Sequence, residues 1–470
     1  GTLGAQNFTT ATNAYNVAVG YDAGAAVTTG VKNTFIGGLA GLSNNTGGSN
    51  VAVGYRALIS NTSASNSVAV GANALAENIT GDQNVAIGTD ALKTQTTGGN
   101  YNVAIGHQAM QDNTTGDSNV AVGRMALFEN TTGLSNVAIG MNAMLDSTTG
   151  DYNVAVGESA LGNNTTANEN TALGYNSMVT NTTGANNTAV GAYTLDAMTS
   201  GSSNVAMGKS ALGALTTGTD NTAIGLNAGD ALTDADYNVV VGTASLSTDT
   251  LGSRSVAIGY AALHTQNFTT ATNSYNTGVG FNAGFAVTTG VNNTFVGGLT
   301  GDGTDNGDNN TAMGYLALSA NCGDSNVAIG QSALLLCTSN QNTVVGALAG
   351  DALTTGGANT FIGYNAAGDG TVTGGSNTAV GTLSLSALVG GDNNTCMGIS
   401  SGSAVTSGSN NMLLGHDAGL SGSPGGVHTT SSGRIALGDE NVTNCHIQVD
   451  WTVASDQRDK TDFTALDLGL

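Results

Sequence analysis

A five-residue motif, Asn-Val-Ala-Val-Gly at Asn119–Gly123, returns in some form at a near-constant interval along a chain of 470 residues. With its closing glycine as the marker there are 25 copies, from Gly20 to Gly438. Successive markers such as Gly106, Gly123, Gly140 and Gly157 stand about 17 residues apart, and a fixed period of this size is the signature of a solenoid, in which each repeat covers only the exposed faces of its neighbours. One period is too short for a pair of helices, whereas two strands of about five residues and two turns fill it. The chain is therefore expected to be all-β, a parallel β-solenoid or β-roll of 17-residue coils. At about 4.8 Å per coil, 24 steps make a rod on the order of 115 Å long.

The columns of the repeat carry the next step. The residue before the glycine is aliphatic (Val19, Ile36, Val53, Leu414), and so, or Thr, is the one two places earlier (Val17, Thr34, Val51, Met412). These two columns share one face of a strand, because side chains alternate with period two. Between them stands mostly Ala (Ala18, Ala52, Ala121, Ala223), which predicts a second dry face pressed closely against something. A strand buried on both sides follows. Four residues before the glycine lies Asn in 22 of 25 copies, with Ser67, Ser255 and Arg434 as exceptions. An unbroken Asn column at a strand end reads as an amide ladder, represented by Asn119, Asn136, Asn153 and Asn204, each side chain bonding that of the next coil. The glycine itself suits a corner that needs positive φ or close backbone approach. Ala and then Leu or Met after it (Ala126, Leu127; Ala143, Met144) predict a second, shorter inward strand, closed by turns such as Thr131–Gly133.

Composition agrees with a thin rod. There are 71 Gly, one Pro, 5% aromatic residues and 9% charged residues, so no large aromatic core is available. The formal charge of −23, from 32 acidic and 9 basic residues, argues against nucleic-acid binding, which needs clustered Lys and Arg. Acidic residues in turns (Asp82, Asp112, Asp117, Asp151) read as a solvated face that keeps the rod soluble. No run of apolar residues is long enough to span a bilayer, so no membrane insertion is expected. The five histidines form no repeating pair and reach no carboxylate cluster in a repeating way, and the Asp and nonapeptide spacing of calcium β-rolls is absent; no metal and no cofactor are expected. Of the four cysteines, Cys322 and Cys337 lie in equivalent parts of successive coils, where a disulfide is geometrically allowed; free thiols are the favoured reading, with Cys396 packed in the Ala column. Sequons such as Asn113-Thr-Thr and Asn130-Thr-Thr read as by-products of turn composition unless the chain is secreted by a eukaryote.

In chain order, residues 1–420 form the shaft. Gln6–Asn13 recurs at Gln266–Asn273, followed in both places by near-identical coils, which points to a duplicated block of 15 coils. There the markers Gly259 and Gly280 stand further apart than any other neighbouring pair in the shaft, predicting a bulging loop. The lone proline, Pro424, and the still wider gap between Gly415 and Gly438 mark a boundary, so residues 421–454 are read as a neck or cap, with Trp451 as a packing element.

Residues 455–470 carry a different signal. Ser455, Asp456, Arg458, Lys460 and Asp462, in the pattern S-D-x-R-x-K-x-D with Leu466–Leu470 after them, resemble the opening of the intramolecular chaperone domain at the C-terminus of bacteriophage tail fibres and tailspikes, the peptidase S74 family. Phe463 stands where that family more often has Ile. The resemblance implies a homotrimer whose chaperone helps the fibre fold and then cuts itself free before Ser455, with Ser455 as nucleophile and Lys460 as its base. A Ser hydroxyl needs such a base, and a Lys serves when burial or positive charge lowers its pKa. The body repeat is similar to the head repeats of trimeric autotransporter adhesins, trimers of left-handed parallel β-rolls, although their period is shorter.

Together these readings lead to an intertwined or side-by-side homotrimeric fibre on the virion surface, a phage tail fibre engaged in host attachment, with the Ala face as the seam between three chains. No enzymatic activity is expected from residues 1–454. Its partner would be a host cell-surface glycan or protein; the aromatic column just after the glycine (Tyr55, Tyr175, Tyr260, Tyr315, Tyr364) is the candidate for stacking on sugars, against the plainer role of covering coil corners. A secreted trimeric adhesin on a bacterial surface would share the body but not the S74-like tail. An ice-binding solenoid would show a flat Thr array, which the Thr-Thr-Gly turns suggest and the loop Gly301–Asp308 interrupts.

Overall fold

A computed structural model describes residues 13–444. It is an all-β parallel solenoid: 25 three-residue strands, from Val17–Val19 to Ile435–Leu437, form one sheet. Each strand pairs in parallel with its sequence neighbours, and equivalent residues lie opposite each other, as in Val120↔Val137, Ala121↔Ala138 and Val122↔Ile139. The described residues contain no helix. Strictly repeated register follows from the repeat itself, since a slip of one residue would turn every Ala outward and every Val inward.

The coil from Asn119 shows what lies inside. Asn119, Ala121, Ala126, Leu127 and Asn130 are all fully buried, and the apolar positions among them recur through the rod as its continuous core. The Ala column therefore faces the lumen of its own coil, which corrects the expectation that it forms a seam between chains. The physical reason is circumference: so short a coil encloses a lumen too narrow for two opposed rows of large side chains. The β-branched columns are then turned out, half-exposed or exposed (Ile139 39%, Leu173 46%), so in this chain the strands are buried on one face only.

A second correction concerns the residues after the glycine, which form turns and no strand. Ala126 and Leu127 are consecutive and both point inward, which a period-two strand forbids. The chain achieves this by entering the left-handed region at Met125 (φ 55°) and Leu127 (φ 53°), and once more at Ser118 (φ 61°) before the ladder Asn. Such φ values cost a non-glycine residue about 1–2 kcal/mol. Inter-coil hydrogen bonds offset this cost: Met125 N–H donates back to His107 O at 3.0 Å, and Leu127 N–H forward to Ala143 O at 2.9 Å.

The marker glycine has two reasons to be glycine. At Gly140 φ is +136°, and a Cβ there would stand 2.5 Å from the carbonyl oxygen of Gly157 on the next coil. Lumen volume is conserved by a different device. Where Phe replaces Ala in the strand, the neighbouring Leu column becomes Gly: the Phe35 ring occupies the space a Cβ on Gly41 would need, Phe295 that of Gly284 and Gly301, and Phe361 lies against Gly350. All three rings are fully buried.

The irregular joint near residue 266 is only partly a bulge. Thr269–Ala271 are exposed, but Gly252–Ser253 and Thr272–Asn273 form an additional parallel pair, and Phe268 and Gln266 turn inward. Buried Asp249 accepts from Gln266 Nε2 (2.6 Å) and from the Phe268 (2.9 Å) and Gly252 (3.1 Å) N–H groups. At the other irregular joint, Ile435–Leu437, within the segment assigned to the neck, pairs in register with Met412–Leu414 of the same sheet. Trp451 lies outside the described residues.

Gly301→Ala is expected to lower the melting temperature, since the new methyl meets the Phe295 ring. Phe295→Ala should itself cost about 3–5 kcal/mol. In the double variant the methyl added at position 301 enters vacated space, so the losses should fall short of additivity by about 0.5–3 kcal/mol; denaturant unfolding of the four proteins measures this.

Candidate functional site

The Asn column is the most regular polar feature of the interior. Asn119, Asn136, Asn153 and Asn204 are fully buried, and each donates its N–H to the preceding ladder oxygen and its Nδ2 to a turn carbonyl. Asn136 donates its backbone N–H to Asn119 Oδ1 (2.8 Å) and its Nδ2 to Gly150 O (2.7 Å). Its Oδ1 accepts from the N–H (2.9 Å) and Nδ2 (3.2 Å) of Asn153. Asn204 repeats this with Asn187 Oδ1 (2.9 Å), Gly218 O (2.9 Å) and the Asn221 N–H (3.0 Å). The amides thus bond mainly to backbone, stitching the strand end of one coil to its neighbours and to the Thr-Thr-Gly turn. At two of the three exceptions serine substitutes: Ser67 Oγ accepts from Asn84 N–H (3.3 Å), and Ser255 Oγ meets Ser274 Oγ (2.6 Å) and Gln266 Nε2 (2.8 Å).

Two further ladders escaped sequence analysis. Seven residues after the marker a second buried column runs through Asn44, Asn61, Asn78, Gln95, Asn113 and Asn130. Asn113 and Asn130 are the sequon asparagines, each bonding the carbonyl three residues on (Gly116, 3.1 Å; Gly133, 3.2 Å), and full burial closes them to glycosylation in the folded rod. This column turns apolar at Met198, Leu215 and Leu232, so no single residue type announces it. On the surface, Asp, Asn or Ser six residues before the marker caps the preceding coil: Leu134 N–H donates to Asp151 Oδ1 (2.7 Å) and Asp151 N–H to Asn168 Oδ1 (2.8 Å). Several acidic residues read as merely solvated are therefore structural acceptors.

The aromatic candidates lie at an outer corner. Tyr55, Tyr175, Tyr260, Tyr315 and Tyr364 are 44–57% exposed. Tyr260 stacks on Phe281 of the next coil (5.4 Å, 12°), and Tyr175 meets Tyr193 edge-on (5.3 Å, 84°); the others stand on coils far apart along the rod. Five residues before the marker a second exposed aromatic column includes Tyr101, Tyr152, Tyr237 and Tyr275. There Arg254 lies between Tyr237 and Tyr275, 5.0 and 5.9 Å from their ring centres. The outward columns of the sheet run between these two aromatic columns: one is aliphatic in every strand, and the other mixes Val with Thr, as at Thr171, Thr277 and Thr311.

Cys322, Cys337 and Cys396 are free, buried thiols. Burial pushes Cys322 and Cys396 up to about 12, which removes thiolate character at neutral pH. His416 is brought within 3.3 Å of both Asp417 and Asp439, a grouping not visible in the repeat pattern because the wide interval from Gly415 to Gly438 breaks the period there. Hydrogen bonds from Asn441 hold the Asp439 carboxyl below its usual range. Ser455 and Lys460 lie outside the described residues. No helix among the described residues is long and apolar enough to cross a membrane.

Asn136→Leu is expected to strand the Gly150 carbonyl and the Asn153 N–H in the interior, at about 1–3 kcal/mol for each unsatisfied group. Chemical denaturation should show a loss of that order, and an unchanged midpoint would mean that water reaches the column. No protein-family model matches this chain, and no curated protein matches it.

Proposed function

We propose that this chain is the shaft of a homotrimeric fibre, a phage tail fibre that carries host attachment on the virion surface. The observation that carries the reading is the outward face of the sheet. Monomeric proteins rarely expose contiguous apolar patches beyond a few hundred Å², yet here one outward column of the sheet is Val, Ile, Leu or Met in all 25 strands, beside a second column in which Val is interspersed with Thr, as at Thr171 and Thr311. Bringing three such faces together along a common axis would remove that stripe from water, and the exposed Tyr columns would border the seams, where a host glycan could stack on them. The seam in this proposal is the Val/Ile face, since the Ala face is occupied by the coil's own core. The motif Ser455–Asp462 supports the phage assignment over a bacterial adhesin through its resemblance to the S74 chaperone.

An ice-binding role fits less well. Of most Thr pairs the first hydroxyl is engaged within the protein, as in Thr131 Oγ1 to Thr148 O (2.9 Å) and Thr148 Oγ1 to Thr165 O (3.0 Å). The second threonines of the turns stay open (Thr132, Thr149, Thr166), and the outward threonines of the sheet, such as Thr277, Thr294 and Thr311, share their column with Val and stand beside an aliphatic one, so neither set forms the wide threonine array that would be required.

Light scattering should return three times the 46.1 kDa chain mass. Val137→Glu with Ile139→Glu, on the outward face, should weaken the assembly while leaving the interior intact; a stable monomer for the parent would sink the proposal. Self-cleavage is a separate expectation. Extended through a complete C-terminal domain, the chain should be cut before Ser455 once folded, because Lys460 accepts the Ser455 proton only when desolvated or crowded by charge. Mass spectrometry of the parent beside Ser455→Ala and Lys460→Ala should show cleavage in the parent alone.

A further inference from the structure

We propose that His416, Asp417 and Asp439 form a divalent transition-metal site, with zinc as the fitting ion, that clamps the last described coil to the one before it. His416 and Asp439 each follow a marker glycine, so they occupy the same column on successive coils, and Asp417 is the next residue along. Asp417 Oδ2 and Asp439 Oδ2 both stand 3.3 Å from His416 Nδ1, and the three ligand atoms lie within 4.8 Å of one another. An imidazole nitrogen carries at most one hydrogen, and charge-assisted N–H···O bonds are about 2.7–2.9 Å long. One hydrogen can serve both carboxylates only through a long three-centre bond, of which the 3.3 Å contact to Asp439 is one arm. Both nitrogen–oxygen separations match those between neighbouring ligands of a tetrahedral zinc site, whose bonds of about 2.0–2.2 Å place such ligands about 3.3 Å apart.

The surroundings support the assignment. Asp439 is 8% exposed, and Asn441 donates to both its oxygens, N–H to Oδ1 and Nδ2 to Oδ2, each at 3.0 Å. Such an outer partner orients a ligating carboxylate. His416 and Asp417 are more open, which leaves room for water as a fourth ligand. The position also suits a clamp. The connection from Gly415 to Gly438 is the longest between any two neighbouring markers, and a metal bridging its two ends would hold the final coil in register.

The test is calorimetric titration of zinc chloride into the chelator-washed full chain. One ion per chain is expected. His416→Ala and Asp439→Asn should each weaken binding at least tenfold and Asn441→Ala about tenfold. His107→Ala, at the equivalent position of another coil where the next coil bears Arg124, should bind as the parent does. Circular dichroism of each variant establishes that the rod is intact, which the exposure of His416 favours. Absence of saturable binding in the parent, or equal binding by the His416 and His107 variants, would overturn the site.

Discussion

Everything in this rod depends on equivalent atoms of successive coils meeting in register through hydrogen bonds that run along the axis. Strands of three residues cannot hold a sheet by themselves, and each coil buries too little apolar surface to stand alone. The Asn ladder supplies what the short strands lack. Each side-chain oxygen takes the N–H that the next strand would otherwise leave unpaired at its start, and each side-chain NH₂ donates to the turn that closes the coil. Because these groups are fully buried, their loss is felt as desolvated donors and acceptors. The Gly-to-Gly contact at the opposite end of each strand works in the same direction, since only a chain without a Cβ there lets the coils approach to the sheet spacing.

A narrow lumen then governs which side chains go where. Ala columns, single Leu or Met residues and Asn fill it, and the Phe enlargements are matched by a reduction next to them, as at Phe295 between Gly284 and Gly301. With Leu or Met already supplied to the lumen from the turn side of each coil, the strand contributes mostly Ala to it and turns its Val and Ile outward. The largely apolar face that results, bordered by tyrosines, follows from this division, and it is this face that an assembly would have to cover.

Much of the architecture was legible in the residues. The period announced the solenoid, the Asn and Gly columns announced axial contacts, and Cys396 in place of Ala announced a packed thiol. Other parts were not. The second Asn column changes identity to Met and Leu along its length, so it has no constant letter to find. The surface caps at Asp151 and Asn168 alternate among three residue types, and the His416, Asp417 and Asp439 group depends on an irregular connection returning to the corner it left.

The sequence by itself determined the period, the parallel in-register stacking and the presence of two contrasting strand faces, because each is a property of spacing and alternation alone. Which of those faces points inward was decided only by the tertiary structure. Alternation says that Ala121 and Val122 point opposite ways, and says nothing about which side the chain curls toward. The left-handed turns at Met125 and Leu127 set that curl, and with it they send Ala to the lumen and Val and Ile to the surface. Stacking of the same curl, coil upon coil, carries the distant Asp439 carboxylate to the side of His416.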